Sequence, residues 1–438
     1  MVGKYLQSIL CLTAFGVFTG YVFVNARLKD SQGDMILMVL LLLVLPRFAR
    51  IDLSRYARFF TILFWSFLAL SLSSVLFPPS PFAKLGWLVT TLYRVLFSWI
   101  IVCGMLNMHR PDRKVLRWGL TALCLLLASC YIVQQQGGAI QETLAVLSPF
   151  RPDDGKWHHK NYAMWQLLLM WGAIAFLWQR NRAGTLAAVM VWGASAAAIF
   201  SGTGKSSQLA LAISTAVFLF AHVVSPERRY GLYCVLTIGA FLLVPLLWFA
   251  AAPLEPWLGP LLPGSVSYTM RLELYDYSAQ LIGKEVVLGH GFGSTLYMPI
   301  PKGEVGWRPS CFPGGHAHNL PLQMMIDHGL LGLIFLASVL SLFYHYIHHA
   351  ARQLRQAPAV WALFSSGLIL FSLSYTIWKA DIVLMYCMWL ALIFASCSRH
   401  GRQTAGWLQK PKTTGLLLFF GVTAVACYAA DYLYLAGR

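Results

Sequence analysis

Charge is what this sequence has least of. Asp, Glu, Lys and Arg make up 11% of its 438 residues, against 58% hydrophobic. A water-soluble chain of that length needs a far more charged surface, so a soluble globular protein is excluded and no large soluble domain fits beside the apolar runs. The mean hydropathy of +0.63 points the same way. No CxxC pair occurs. Of the nine cysteines, Cys11, Cys103, Cys124, Cys130, Cys234, Cys387, Cys397 and Cys427 lie inside apolar runs, and only Cys311 falls in a long polar stretch. That pattern supports neither a disulfide framework nor a zinc site. A complete P-loop is also missing: Ser201-Gly202-Thr203-Gly204-Lys205-Ser206-Ser207 has Ile199 where the first glycine is required. The first apolar run lacks a convincing small-residue cleavage site and is expected to be a span and not a removed signal. Internal repeats and low-complexity tracts are absent.

What the chain does have is hydrophobic runs long enough to cross a bilayer, which takes about 20 apolar residues each. They fall near 5–24, 34–49, 57–77, 85–107, 114–134, 160–178, 184–200, 206–224, 231–250, 322–346, 357–376, 380–398 and 413–433. The run at 34–49 is crowded by Asp34 and Pro46, and the last contains Asp431. The expectation is an all-α polytopic membrane protein of about 12 transmembrane helices, forming a single membrane domain over 1–438. The net charge of +17 does not signal nucleic acid, because the basic residues form no patch and recur between the runs. Arg47, Arg50, Arg55 and Arg58 form one such group, His109, Arg110, Arg113, Lys114 and Arg117 another, followed by Arg180 and Arg182, Arg228 and Arg229, Arg352 and Arg355, and Arg399, Arg402, Lys410 and Lys412. Each follows an even-numbered run, so those loops and the N-terminus are expected in the cytoplasm. The opposite face carries two long loops, 135–159 and 251–321. The second is unusually long for a plain connection, and function concentrates on such loops when a rigid scaffold holds them.

The residues with chemistry to offer gather on that face. Gly314-Gly315-His316-Ala317-His318-Asn319-Leu320-Pro321-Leu322-Gln323 closes the long loop. Histidine titrates near neutrality and suits a general base, and Asn319 can cap a helix. The alternative is a hydrogen-bonded pair of histidines at the membrane interface. The stretch 271–282 has helical spacing, with Leu274, Tyr275, Ser278, Leu281 and Ile282 on one face and Arg271 a turn earlier beside them. An arginine there requires an anion, either a phosphate matched to its fork or a loop carboxylate. The 201–207 turn would place Lys205 at a helix N-terminus, where an anion is favoured, unless that lysine only snorkels to water. Lys84 and Arg94 lie at the mouth of, and inside, the run 85–107, where a charge implies function. Arg151, Lys156, His158, His159, Lys160 and Asn161 crowd the end of the first long loop. Cations gathered against the usual charge bias suit a polyanionic substrate. One base beside phosphate-binding cations fits transfer to a hydroxyl with a phosphorylated leaving group.

These motifs, in this order, resemble the O-antigen ligase (WaaL) family within the ligase/polymerase superfamily of bacterial envelope glycans. The likeness rests on His318-Asn319 with Leu322-Gln323 and Gly329-Leu330-Leu331-Gly332, on Arg271 with Gly289-His290-Gly291-Phe292-Gly293, and on the Ser/Gly turn before Ser206. The span pattern carries it over nearly the whole length. The resemblance implies a GT-C-like architecture in the bacterial inner membrane, with the active site facing the periplasm and short helices in the large loop. It implies transfer of O-antigen from undecaprenyl diphosphate to a sugar hydroxyl of lipid A-core, with inversion and without metal or other cofactor. His318 would be the base and Arg271 would grip the diphosphate, aided by Lys205, Lys84 and Arg94. His316, Asn319, Arg151, His159, Asn161 and Gln323 would support the site or the acceptor. At the Ser/Gly turn Lys205 stands where the family usually carries arginine, a point charge in place of a fork. The partners implied are the lipid-linked O-antigen, lipid A-core and membrane lipids, with no nucleic acid. The sequence leaves the oligomeric state open. Rival readings are a polysaccharide polymerase of the same superfamily, a protein O-glycosylating relative, and a non-enzymatic lipid or solute transporter. A transporter would place its charges nearer the bilayer midplane.

Overall fold

The computed structural model of the chain describes residues 9, 12–13, 64–69, 113–135, 156–178, 182–202, 204–225, 231, 266–296, 317–352, 357–373 and 389. Its principal elements are α1 (Arg113–Gln135), α2 (Lys156–Leu177), α3 (Arg182–Ser201), α4 (Lys205–Val223), α5 (Val266–Lys284), a 3-10 turn (Ser294–Leu296), α6 (Leu320–Arg352) and α7 (Ala357–Leu373). No strand occurs among the described residues. Val115–Val133, Arg182–Ser201, Lys205–Val223 and Leu320–Ser341 are long and apolar enough to cross a membrane, and Tyr162–Leu177 and Ala357–Leu373 are shorter apolar helices. These mark the chain as a helical membrane protein. The runs near 5–24, 34–49, 57–77, 85–107, 231–250, 380–398 and 413–433 lie outside the described residues except at isolated positions.

Burial divides the helices into two kinds. In α2 every residue from Tyr162 to Leu177 is buried, and in α7 every residue from Ala357 to Gly367. The other helices of the bundle expose apolar side chains in stripes. On α1 these are Trp118, Leu126 and Val133, on α3 Leu186, Val189, Met190 and Phe200, and on α4 Leu209, Leu219 and Phe220. Helical spacing puts each set on one face, and water would not tolerate so many. Lipid tails are the solvent that fits. α7 packs most extensively on α4 and also touches α2 and α6, while α1, α2 and α3 pack on one another.

Without a hydrophobic drive between helices in lipid, small residues and polar pairs hold them together. Gly172 leaves the notch that the buried Trp389 ring fills, and Gly119 receives Leu12. Gln166 on α2 ties three helices: its Nε2 donates to Ser195 Oγ on α3 at 2.8 Å and to the Cys124 carbonyl on α1 at 3.2 Å. Tyr162 donates its hydroxyl to the Leu127 carbonyl of α1 and stacks on Tyr131, ring centroids 4.0 Å apart. Trp171 Nε1 donates to Ser214 Oγ of α4 at 2.8 Å.

One expected boundary moves, and one expected loop holds a longer helix. The first long loop, expected over 135–159, ends earlier, because α2 is already helical from Lys156. His159 and Asn161 therefore belong to the first turns of a helix. The stretch 251–321 contains α5, a 19-residue helix, where short helices are expected. Its buried positions Leu274, Tyr275, Ser278 and Leu281 follow a 3.6 period, so it packs on protein by one face.

Candidate functional site

The site is built around a break in α6. This helix has 33 residues, yet Gly329 within it has φ 58° and ψ −148°, far from helical values. An unbroken helix would send the Leu330 N–H to the Ile326 carbonyl. Here Leu330 N–H donates to the Val286 carbonyl at 2.9 Å. The carbonyls of Ile326 and Asp327 receive the backbone N–H groups of His290 at 2.7 Å and Gly291 at 2.9 Å. The loop after α5 thus completes the hydrogen bonds that the break opens, which buried backbone requires.

Only glycine permits this docking. Gly289 has φ +70°, and a Cβ on it would lie 2.5 Å from the Gly329 nitrogen and 2.6 Å from the His328 nitrogen. A Cβ on Gly329 would overlap the Val287 carbonyl and lie 2.6 Å from the Leu288 nitrogen. Each glycine is the space that the other's neighbours need. His290 Nε2 lies 2.8 Å from the Leu281 carbonyl, fastening the loop to the last turns of α5. Phe292 stacks on His328, centroids 5.9 Å apart, and meets Phe67 edge-on at 5.9 Å.

Ahead of the break in the chain stands the segment 317–323. His318 is the only non-glycine residue with positive φ among the described residues, at 50°. A histidine in the left-handed region costs about 1 kcal/mol or more and persists where its surroundings impose it. Both neighbours are pinned. Ala317 N–H donates to Gln323 Oε1 at 2.8 Å. Asn319 caps α6: its Oδ1 accepts the Leu322 N–H at 2.9 Å, and its Nδ2 donates to the Ser372 carbonyl at the end of α7, 2.7 Å away. Gln323 Nε2 reaches Asp327 Oδ1 at 3.0 Å and Thr295 Oγ1 at 3.3 Å. Asn319, Gln323, Asp327 and Thr295 are buried, whereas His318 is partly exposed. The turn presents an imidazole from a rigid seat.

α5 packs along the same segment, with Tyr275 and Leu281 against Ala317, Leu322 and Ile326, and Ile282 at the margin. Leu274 and Ser278 are buried too, so the face expected from the spacing is the one that meets the protein. Arg271 lies on α5 one turn before Leu274 and Tyr275, on the helix that packs against the His318 turn. Lys205 is the first residue of α4 and is exposed, and Gly204 caps that helix through its carbonyl, which accepts Ser207 N–H at 2.9 Å and Gln208 N–H at 3.0 Å. Lys84, Arg94, Arg151 and His316 lie outside the described residues. Sequence reasoning misses Asp327 and Thr295. A signal for Asp327 exists, an ionisable residue inside an apolar run. Thr295 carries no such mark.

The fold and site together define a helical membrane protein in which a broken helix, sealed by a glycine loop, holds a strained histidine at its mouth. No protein-family model matches the chain. It is similar to a protein of Rickettsia felis named "Putative polysaccharide ligase", 27% identical over 184 residues. That stretch covers 40% of this chain and 43% of the relative, so the matched region spans less than half the length of the curated relative.

Proposed function

We propose that the protein is a polysaccharide ligase, an O-antigen ligase that moves a glycan from undecaprenyl diphosphate to a sugar hydroxyl of lipid A-core at the periplasmic face of the inner membrane. The observation that carries the reading is His318, held at φ 50° and partly exposed between two locked neighbours at the mouth of a broken apolar helix. Strain of this kind gathers at functional sites. The name of the Rickettsia felis relative supports the coarse class of reaction.

In this mechanism the neutral His318 imidazole takes the proton of the acceptor hydroxyl. The acceptor oxygen attacks the anomeric carbon, the bond from that carbon to the diphosphate oxygen breaks, and undecaprenyl diphosphate leaves with the electron pair. One displacement inverts the anomeric centre. Arg271, with Lys205, Lys84 and Arg94, balances the charge of the diphosphate as it departs. Asn319 and Gln323 hold the base, and His316, Arg151, His159 and Asn161 are assigned to the acceptor side. The reaction needs no metal, since the donor is already activated.

The test is transfer by purified protein from lipid-linked glycan to lipid A-core with a chelator present, read on a gel. His318→Ala is expected to lose about 10²- to 10⁴-fold in rate, at unchanged thermal midpoint, while His316→Ala loses far less and shows it as a raised acceptor KM. An active His318→Ala protein would overturn the reading. Lengthening of lipid-linked glycan without capping of lipid A-core would make it a polymerase.

A further inference from the structure

We infer that Asp327 and Thr295, acting through Gln323, are positioning residues that set the orientation of His318. The inference rests on the reading of His318 as the base. Its ground is the chemistry of an amide. Gln323 presents an oxygen that only accepts and a nitrogen that only donates. The Ala317 N–H requires the oxygen, 2.8 Å away. If the amide turned over, two donors would face each other and the 317–319 turn would lose its anchor at Ala317, keeping only those at Asn319. Asp327 prevents that turnover. Its Oδ1 accepts from the Gln323 nitrogen at 3.0 Å, and the Thr295 hydroxyl oxygen accepts from the same nitrogen at 3.3 Å, so the amide is held by two acceptors on its donor side.

The arrangement forms a chain of fixed polarity, from Asp327 and Thr295 through Gln323 to the backbone beside His318. All its side chains are 2% exposed or less, so water does not compete for these bonds. Asp327 also offers its backbone carbonyl to the Gly291 N–H. One residue therefore joins the sealed break in α6 to the turn that presents the imidazole. Thr295, on the 3-10 turn, brings in the stretch of chain that follows the glycine loop. None of the three touches the reacting atoms in this scheme, and each acts by fixing another group.

The polarity can be broken and then restored. Gln323→Glu replaces the permanent amide donor to Asp327 Oδ1 with a second buried carboxyl one turn away; the two can bond only while they share a proton, so the fixed polarity is lost and the contact becomes pH-dependent. Adding Asp327→Asn restores a donor: its amide nitrogen can bond one oxygen of the new carboxylate at position 323 while the other oxygen accepts the Ala317 N–H. We would measure kcat and donor KM for Gln323→Glu and for the double variant. In parallel, we would follow the pH dependence of His318 modification by diethyl pyrocarbonate, read by peptide mass spectrometry.

Gln323→Glu is expected to lose on the order of 100-fold in kcat with donor KM little changed, and to shift the His318 modification profile. The double variant is expected to recover most of both. Thr295→Val keeps the volume and removes one acceptor, so it disturbs the packing least; it should show a smaller change in both readouts in the same direction. A double variant no better than Gln323→Glu, or a Thr295→Val protein unchanged in both readouts, would overturn the relay. If wild type transfers nothing, or His318→Ala still transfers, the base assignment fails, while the modification profile still reports whether the relay sets the imidazole.

Discussion

The helical bundle and the sealed break in α6 are held together by opposite means. In the bundle, α1 to α4 and α7 meet through side chains: apolar surfaces, small-residue notches, and a few polar ties such as Gln166 to Ser195. At the break, backbone meets backbone. Val286, His290 and Gly291 on one side exchange hydrogen bonds with Leu330, Ile326 and Asp327 on the other. Side-chain packing can relax around a substitution, because rotamers and neighbours give way. A backbone seam has nothing flexible to yield. The chain places its adaptable packing where it meets lipid and its rigid seam where it presents a strained histidine.

The sharpest way to break this contrast is to put a methyl group in the seam. Gly289→Ala and Gly329→Ala each force a Cβ onto backbone atoms at a positive φ, and should cost about 3 kcal/mol or more. The check is recovery of monodisperse protein in detergent and its thermal midpoint. A variant as stable as wild type would show that the seam can open. Next comes the strain itself. His318→Gly should abolish transfer while leaving the thermal midpoint equal or higher, since glycine accepts φ 50° freely. A clear drop in the midpoint would mean that the imidazole holds the fold as well as the chemistry.

In the bundle the effects should shrink. Gln166→Met strands Ser195 Oγ and the Cys124 carbonyl from their donor, which membrane helix ties suggest is worth about 0.5–2 kcal/mol. Transfer should survive, and denaturation in mixed micelles measures the loss. Smallest of all is Gly193→Ala in α3, where nothing lies within 4 Å of an added Cβ. Alanine is the better helix former by about 1 kcal/mol, so the thermal midpoint should hold or rise. The same Gly→Ala exchange then separates the two regions by sign.

The bundle is readable from sequence because lipid imposes a simple rule, an apolar stretch of sufficient length. Six of the expected runs coincide with described helices, near 114–134, 160–178, 184–200, 206–224, 322–346 and 357–376. The buried face of α5 is readable from its 3.6 period, and Asn319 as a cap from its place before Leu320. The break is not. Gly329 sits in a run long enough to span a bilayer, and one glycine in a helix is tolerated at modest cost. Its conformation is set by Gly289, 40 residues earlier in the chain, and no local pattern records that pairing. Gln323 belongs to a stretch that the sequence singles out, but its bond to Ala317 lies beside Asp327 and Thr295, which come together only through the tertiary fold.

The seam also sets an order of events during synthesis. Ribosomes deliver the chain from its N-terminus, so Val286, His290 and Gly291 exist before Ile326, Asp327 and Leu330 are made. The earlier partner must wait with its donors and acceptor uncommitted, in water or in transient contacts. The later one arrives as an apolar helix whose carbonyls at the break have no place in lipid. The seam therefore closes only once both of its sides have been made, and a chain ending before Ile326 would leave Val286, His290 and Gly291 without these partners.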